Sequence, residues 1–342
     1  MKIGVTCLAV CMIFVACNKN DDPSTNGNEN NGQWVQKANY PGAAVANALA
    51  FSINNKIYVG MGRNATGCKN DLWEYDPSNN RWTEKSDLPV TNISGYNAAY
   101  FTANNKAYII INNDKMWEYN PSNNNWAQKA DCPIKIFYNS YSFGINGKGY
   151  VGGAGGVNDN SSSQLLYEYN PITDTWKQCA DFIGLNRNGI TAVSNEQNAY
   201  IIGGNGPAYA AYESKLSSDN FWTYSPNNDK WAQKADFPSG IGIVYGLSFC
   251  KETSIYAGLG IESRQGSGSA SSSDSYTYIN VIYKYDANNN SWVQSIKPPI
   301  PNRCQAIAIV CNGKLYIGLG AYLYPHPFSS TQYFLDFWEY SF

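Results

Sequence analysis

Six tryptophans recur in one local setting and leave the chain little choice of fold. Trp34, Trp82, Trp126, Trp176, Trp231 and Trp292 stand 48, 44, 50, 55 and 61 residues apart, and Trp-Val-Gln-Lys, Trp-Ala-Gln-Lys and Trp-Thr-Glu-Lys open units. A tyrosine follows each tryptophan by 24 to 26 residues (Tyr58, Tyr108, Tyr150, Tyr200, Tyr256 and Tyr316). A second tyrosine recurs (Tyr75, Tyr119, Tyr169, Tyr224, Tyr285 and Tyr340), and the first five precede the following tryptophan by seven. All the length variation falls between the two tyrosines, where the separation runs from 11 to 29 residues. A period near 50 marks units that bury their apolar faces only against neighbouring copies, and a rigid spacing with one elastic segment describes four packed strands with one free loop.

In the first unit the pattern predicts an inner strand a over Ala46 to Ile53, strand b over Lys56 to Gly60, strand c over Asp71 to Asp76 and outer strand d over Arg81 to Asp87. Asn-Asn and Asn-Gly pairs at the turns supply the positive φ that two-residue hairpins need. Tyr200-Ile-Ile-Gly203-Gly204 and Tyr75-Asp76-Pro77 with Trp82 resemble the Kelch family, whose unit ends strand b in a glycine pair, carries Tyr-Asp-Pro on c and places Trp on d. Blade two departs, because Tyr108-Ile-Ile-Ile-Asn112 has no glycine. The resemblance covers residues 34 to 342 and implies an all-β, six-bladed Kelch-type propeller with four-stranded antiparallel blades. Trp34 to Pro41 reads as a strand d with nothing before it, and Trp338-Glu-Tyr340-Ser-Phe342 as a strand c with nothing after it. Their pairing would close the last blade with the N-terminal strand and remove an open edge.

Residues ahead of the repeats read differently. Lys2 and the apolar run from Ile3 to Ala16 are too short to span a bilayer and read as a signal segment over residues 1–16. Phe14-Val15-Ala16 before Cys17 resembles the lipobox of bacterial lipoproteins, which implies acylation at Cys17 and an exported chain at the outer membrane or cell surface, touching the membrane through its anchor only. Residues 17–33 are too poor in apolar groups to bury a core and are read as a tether.

A net charge of −2 with no basic block argues against a nucleic-acid partner. Cys68, Cys132, Cys179, Cys250, Cys304 and Cys311 show no metal-like spacing, and His326 is the one histidine, so no metal site or cofactor is expected. Galactose oxidase also carries a Kelch propeller, but its copper needs histidines that this chain lacks.

In such a blade the b-to-c and d-to-a connections share one face, and here all the long segments project from it: Gly62 to Asp71, Asn112 to Lys115, Gly153 to Gln164, Gly204 to Asp219, Gly260 to Asn280 and Gly320 to Asp336. Variable loops on a rigid scaffold are where binding sits. Tyr209, Tyr212, Tyr322, Tyr324 and Tyr333 in the fourth and sixth suit stacking on sugar rings or peptide side chains, or packing within their own loops. The d-to-a segments bring Tyr96 and Asn97, Tyr138 and Asn139, Arg187, Tyr245 and Arg303 toward the channel. Arg187 and Arg303 each follow their blade tryptophan by eleven residues, which offers a fork for a carboxylate or a pair of structural arginines.

His326 lies between two prolines with no nucleophile elbow, which disfavours a His-dependent triad. The chain therefore reads as a binding module for carbohydrate or for an extracellular protein. A second reading comes from exported six-bladed Kelch proteins such as N-acetylneuraminate mutarotases, with Glu213 or Glu262 as acid/base. A third is a protein-interaction scaffold.

Overall fold

The computed structural model describes residues 32–90, 93, 98–112, 114–136, 140–153, 164–184, 187–204, 221–237, 243–262, 277–323 and 331–342. They form six four-stranded antiparallel sheets. Blade 1 consists of Leu49–Ile53, Lys56–Gly60, Leu72–Asp76 and Arg81–Lys85. Blade 2 runs Ala99–Ala103, Lys106–Ile111, Lys115–Asn120 and Asn125–Gln128. Blade 3 runs Tyr141–Ile145, Lys148–Gly152, Leu166–Asn170 and Thr175–Gln178. Blade 4 has Thr191–Ser194, Ala199–Ile202, Phe221–Ser225 and Lys230–Lys234. Blade 5 has Leu247–Lys251, Ser254–Gly258, Ile282–Asp286 and Ser291–Ile296. Blade 6 takes Ile307–Cys311, Lys314–Gly318 and Phe337–Ser341 from the end of the chain, and Gln33–Gln36 from its start. In that closure Trp34 stands opposite Tyr340.

The turn chemistry works as the Asn pairs require. Asn54-Asn55 has φ of 51° and 62°, Asn104-Asn105 51° and 57°, Asn146-Gly147 52° and 73°, and Asn312-Gly313 52° and 72°. Both central residues are left-handed, the condition that matches a two-residue turn to the twist of its strands.

The constant seven-residue spacing has a physical cause that involves the residue between Tyr and Trp. Five residues after each third-strand tyrosine comes Asn80, Asn124, Asp174, Asp229 or Asn290, left-handed and last in its turn. Its Oδ1 accepts the tyrosine hydroxyl at 2.6–2.9 Å. The same oxygen accepts a backbone N–H from the preceding blade, from Ala38, Ser86, Ala130, Ala180 and Ala235 in turn. The carbonyl of that same residue accepts the indole N–H of Trp82, Trp126, Trp176, Trp231 and Trp292 at 2.8–3.2 Å. At five of the six blade boundaries one peptide is thus held at both ends by the next blade. This is why the outer strands end early: blade 1's d strand stops at Lys85, short of Asp87, because Ser86 is held by blade 2. The N-terminal strand likewise stops at Gln36, short of Pro41.

Apolar packing fills the spaces between blades. At the closure Tyr75 meets Phe337 edge-on with centroids 5.0 Å apart, and Trp82 meets Phe337 at 5.1 Å. Within blades Phe51, Phe101, Phe143 and Phe249 of the inner strands stack on Tyr58, Tyr108, Tyr150 and Tyr256 at 4.7–5.2 Å. Such pairs add about 0.5–1.5 kcal/mol each beyond the area they bury.

Candidate functional site: the mouth of the channel

On the long-loop face the d-to-a segments that lead into blades 1, 5 and 6 turn back against the extension of their own strand b. Ala46 bridges to Arg63, Val244 pairs with Ile261, and Cys304 bridges to Ala321. The inner strand expected from Ala46 therefore begins at Leu49. The segments then bend sharply into the inner strand at Asn47, Gly189, Tyr245 and Gln305, with φ of 54°, 69°, 55° and 55°. Left-handed backbone is unusual for Tyr and Gln, and it persists where neighbours over-determine it. The neighbours here are the other bends. Asn47 N–H donates to Gln305 O at 3.2 Å, Gln305 N–H to Tyr245 O at 2.8 Å, and Tyr245 N–H to Gly189 O at 2.9 Å, a belt of backbone bonds around the mouth.

Glycines make room for this belt. A Cβ on Gly260 would lie 2.7 Å from Gly246 Cα, and one on Gly320 2.7 Å from Cys304 O and 2.9 Å from Ala306 Cα. Gly260 N–H then reaches Arg303 O, and Gly320 N–H reaches Val45 O of blade 1. The second glycine of the Kelch pair thus seats the bend of its own blade and ties it to the next.

Inside the belt lies a recess of about 190 Å³ lined by Asn47, Tyr100, Thr191, Tyr245, Ser248 and Gln305 among others. It continues into a channel of about 470 Å³, and Tyr100, Thr191, Ala192, Ser248 and Ala308 line both. Ser142 on the channel wall donates to Tyr100 O at 2.8 Å and accepts Tyr100 N–H at 2.9 Å. Burial pushes the Tyr100 phenol up, opposed in part by the Ala50 backbone, so it stays protonated. Ser248 Oγ lies 3.3 Å from Ala192 O and 2.7 Å from Thr191 Oγ1, a pair in which either hydroxyl can donate. Among the described residues, the amide side chains of Asn47 and Gln305 make no hydrogen bond to another protein group.

The sequence-expected residues fall differently. Arg303 is fully buried and engaged: NH1 and NH2 reach the two Asp336 oxygens at 2.6 and 2.9 Å, NH1 also reaches Leu319 O at 3.0 Å, and Nε reaches Pro301 O at 3.2 Å. Its guanidinium lies 4.0 Å from the Phe334 ring centroid. Arg187 is buried against Gly204. Neither arginine is among the described residues that line the recess or the channel, and the Arg303 donors are taken by Asp336, Leu319 and Pro301. Arg303 is drawn away because it braces the left-handed turn at Leu319 and pairs with Asp336.

Glu262 sits on the short strand Ile261–Glu262 with its N–H on Thr277 O at 2.8 Å, outside the recess lining. Tyr322 stacks on Tyr278 at 4.9 Å, and the Tyr278 hydroxyl accepts Leu323 N–H at 2.8 Å, which joins the loops of blades 5 and 6. Tyr96, Asn97, Tyr138, Asn139, Tyr324, Glu213 and Cys17 lie outside the described residues. Asn47 and Gln305 were not singled out from sequence; the signal was there, since both stand thirteen residues after their blade tryptophan. No group of three or more His, Cys, Asp or Glu residues is arranged to hold a metal among the described residues. Burial holds the Cys132 and Cys304 thiols near a pKa of about 12, as protonated core groups.

Six four-stranded blades, the second-glycine turn and the N-terminal closing strand define a six-bladed Kelch-type β-propeller. The Kelch motif family profile matches residues 44–89. The solved structure titled "Structure of YjhT" aligns over 88% of this chain and 96% of that one, with a TM-score of 0.69 at 16% identity, a likeness of fold. N-acetylneuraminate epimerase 2 of Escherichia coli O6:H1 is 21% identical over 267 residues, covering 76% of this chain and 68% of that protein. The N-acetylneuraminate epimerase of Escherichia coli O139:H28 is 23% identical over 234 residues, covering 66% of this chain and 59% of that protein. These are distant relatives.

Proposed function

We propose that this chain is a carbohydrate-binding Kelch propeller that takes its ligand at the channel mouth, exported and tethered through acylated Cys17 at the outer membrane or cell surface. The observation that carries the binding reading is the pair of amides, Asn47 and Gln305, half-buried at a recess and uncommitted among the described residues. A half-buried amide is open to water, and a hydroxyl-bearing ligand would replace that water at both its donors and its acceptor. The recess and the channel together fall in the size range of small-molecule sites, about 300–1,000 Å³.

A glycan array with the wild type and a Gln305→Gly variant tests this. Glycine adopts the left-handed bend readily, so the variant keeps the belt while losing the amide. Retention of a glycan by the wild type and its loss in Gln305→Gly is the expected result; an array on which the wild type retains nothing sinks the reading.

The names of the relatives favour a second reading, an epimerase acting on N-acetylneuraminate, with Glu262 or Glu213 moving the proton. In this reading the carboxylate must be held by something other than Arg303, whose donors are engaged by Asp336 and backbone carbonyls. An NMR assay of anomer equilibration checks it, and a rate equal to that of buffer removes it.

A further inference from the structure

We infer that the recess is built for an uncharged, polyhydroxylated ring and selects against a sugar acid. This rests on the carbohydrate-binding reading above and names the substrate class of the same site.

Every described residue lining the recess and the channel is uncharged. The stretches of the d-to-a connections outside the described residues, 91–92, 94–97, 137–139, 185–186 and 238–242, contain no Asp, Glu, Lys, Arg or His in sequence. A carboxylate brought into such a site loses hydration with no cation among the described lining residues to replace it.

Backbone N–H groups are the other means of holding an anion, as in the concave nests that bind phosphate. At this mouth the belt has used them: the amides of Asn47, Gln305 and Tyr245 each donate to the carbonyl of the neighbouring bend. Two guanidinium groups lie on segments that run into the mouth: that of Arg303 turns away to Asp336, and Arg187 is buried against Gly204 and is not among the described lining residues.

What the recess does present is balanced. A carboxamide carries two donors and a carbonyl acceptor, and a phenol donates and accepts, matching a hydroxyl, which also does both. A carboxylate only accepts. It would meet the amide carbonyls of Asn47 and Gln305, and no described lining residue carries a positive charge to hold it.

Matched pairs of one ring with and without the acid group test the inference: glucose against glucuronate and galactose against galacturonate, with N-acetylneuraminate as a further acid. Binding is read by saturation-transfer NMR and calorimetry at low and high salt. We expect the neutral member of a pair to bind about tenfold or more tightly than its acid, with no salt dependence, and the signal to vanish in Asn47→Gly and Gln305→Gly. If an acid binds as tightly as its neutral partner, or N-acetylneuraminate binds with salt-sensitive affinity, the inference fails and the carbohydrate reading stands. If none of these sugars binds, both fail.

Discussion

Asn124 accepts the backbone N–H of Ser86, 38 residues earlier in the chain, at 3.0 Å. Its oxygen also takes the Tyr119 hydroxyl at 2.8 Å, so removing it leaves two donors at a blade boundary without an acceptor. Asn124→Ala should lower stability by about 2–3 kcal/mol, whereas Asn124→Asp should be nearly neutral, because Asp174 and Asp229 fill this place in blades 3 and 4. Denaturant unfolding of the two variants checks the contrast; equal losses would mean the oxygen is not what matters.

The closure makes a sharper demand. Residues 33–41 carry the strand that pairs with Phe337–Ser341, the Ala38 peptide held by Asn80 and Trp82, and the Tyr40 hydroxyl bonded to Asp71 at 2.9 Å. A chain beginning at Gly42 should lose cooperative unfolding and expose a sheet edge that drives association. Calorimetry and light scattering against a chain beginning at Gly32 decide it, and an unchanged melting temperature would overturn the closure argument.

Much of the fold was legible in the sequence because it is written in residues with one dominant use. Trp and Tyr at fixed spacing marked the strands, and Asn pairs marked turns that need left-handed φ. The intervening Asn or Asp escaped notice, since its role is to bond across a blade boundary and no local pattern reports that. The site was harder for a related reason. Arg303 looked functional at eleven residues after Trp292, yet it is buried on Asp336, and the left-handed bend presents Gln305, two further on, at the mouth. Sequence gives the period but not which member of a bend faces the ligand.

Arg303 and Asp336 form a bidentate pair in which the arginine side chain is wholly inaccessible and the aspartate one-fifth exposed (20%). Removing the aspartate strands a buried guanidinium, a loss of about 3–5 kcal/mol. Asp336→Ala should cost that much and Arg303→Ala less, because Asp336 keeps the Trp338 indole N–H and access to water, and the double variant should cost much less than the sum of the two. A double-mutant cycle by chemical denaturation measures the coupling; additive losses would show that the pair does not act as a unit.

Acid should loosen the closure first. Glu339 of the last strand accepts the Tyr316 hydroxyl at 2.6 Å and lies 2.7 Å from Lys314 Nζ and 3.5 Å from Lys37 Nζ, the latter next to the N-terminal strand. Burial raises its carboxyl, but Lys314, Tyr316 and Lys37 outweigh that and hold it below the ordinary 4.5. A carboxylate with a depressed folded pKa contributes stability that is present above its unfolded value and lost as pH falls through the folded one. Glu339→Gln should therefore be less stable than the wild type at pH 7, and the gap should close as pH drops below 4.5. Unfolding at neutral and acidic pH checks the trend, and a gap that widens in acid would contradict it.

Gly320 tests the link between scaffold and site. Its φ is +87°, and an added Cβ would fall 2.7 Å from Cys304 O and 2.9 Å from the Ala306 backbone, neither of which is the end of a flexible side chain. The bend that carries Gln305 would have to move. Gly67 offers a control, since its φ is +114° but an added Cβ meets nothing within 4 Å. Gly67→Ala should then cost only the backbone strain, about 1–3 kcal/mol, and leave sugar binding intact. Gly320→Ala should cost more and also weaken binding, although residue 320 lines neither cavity. Equal stabilities and affinities for the two variants would mean that the glycine turn does not position the mouth.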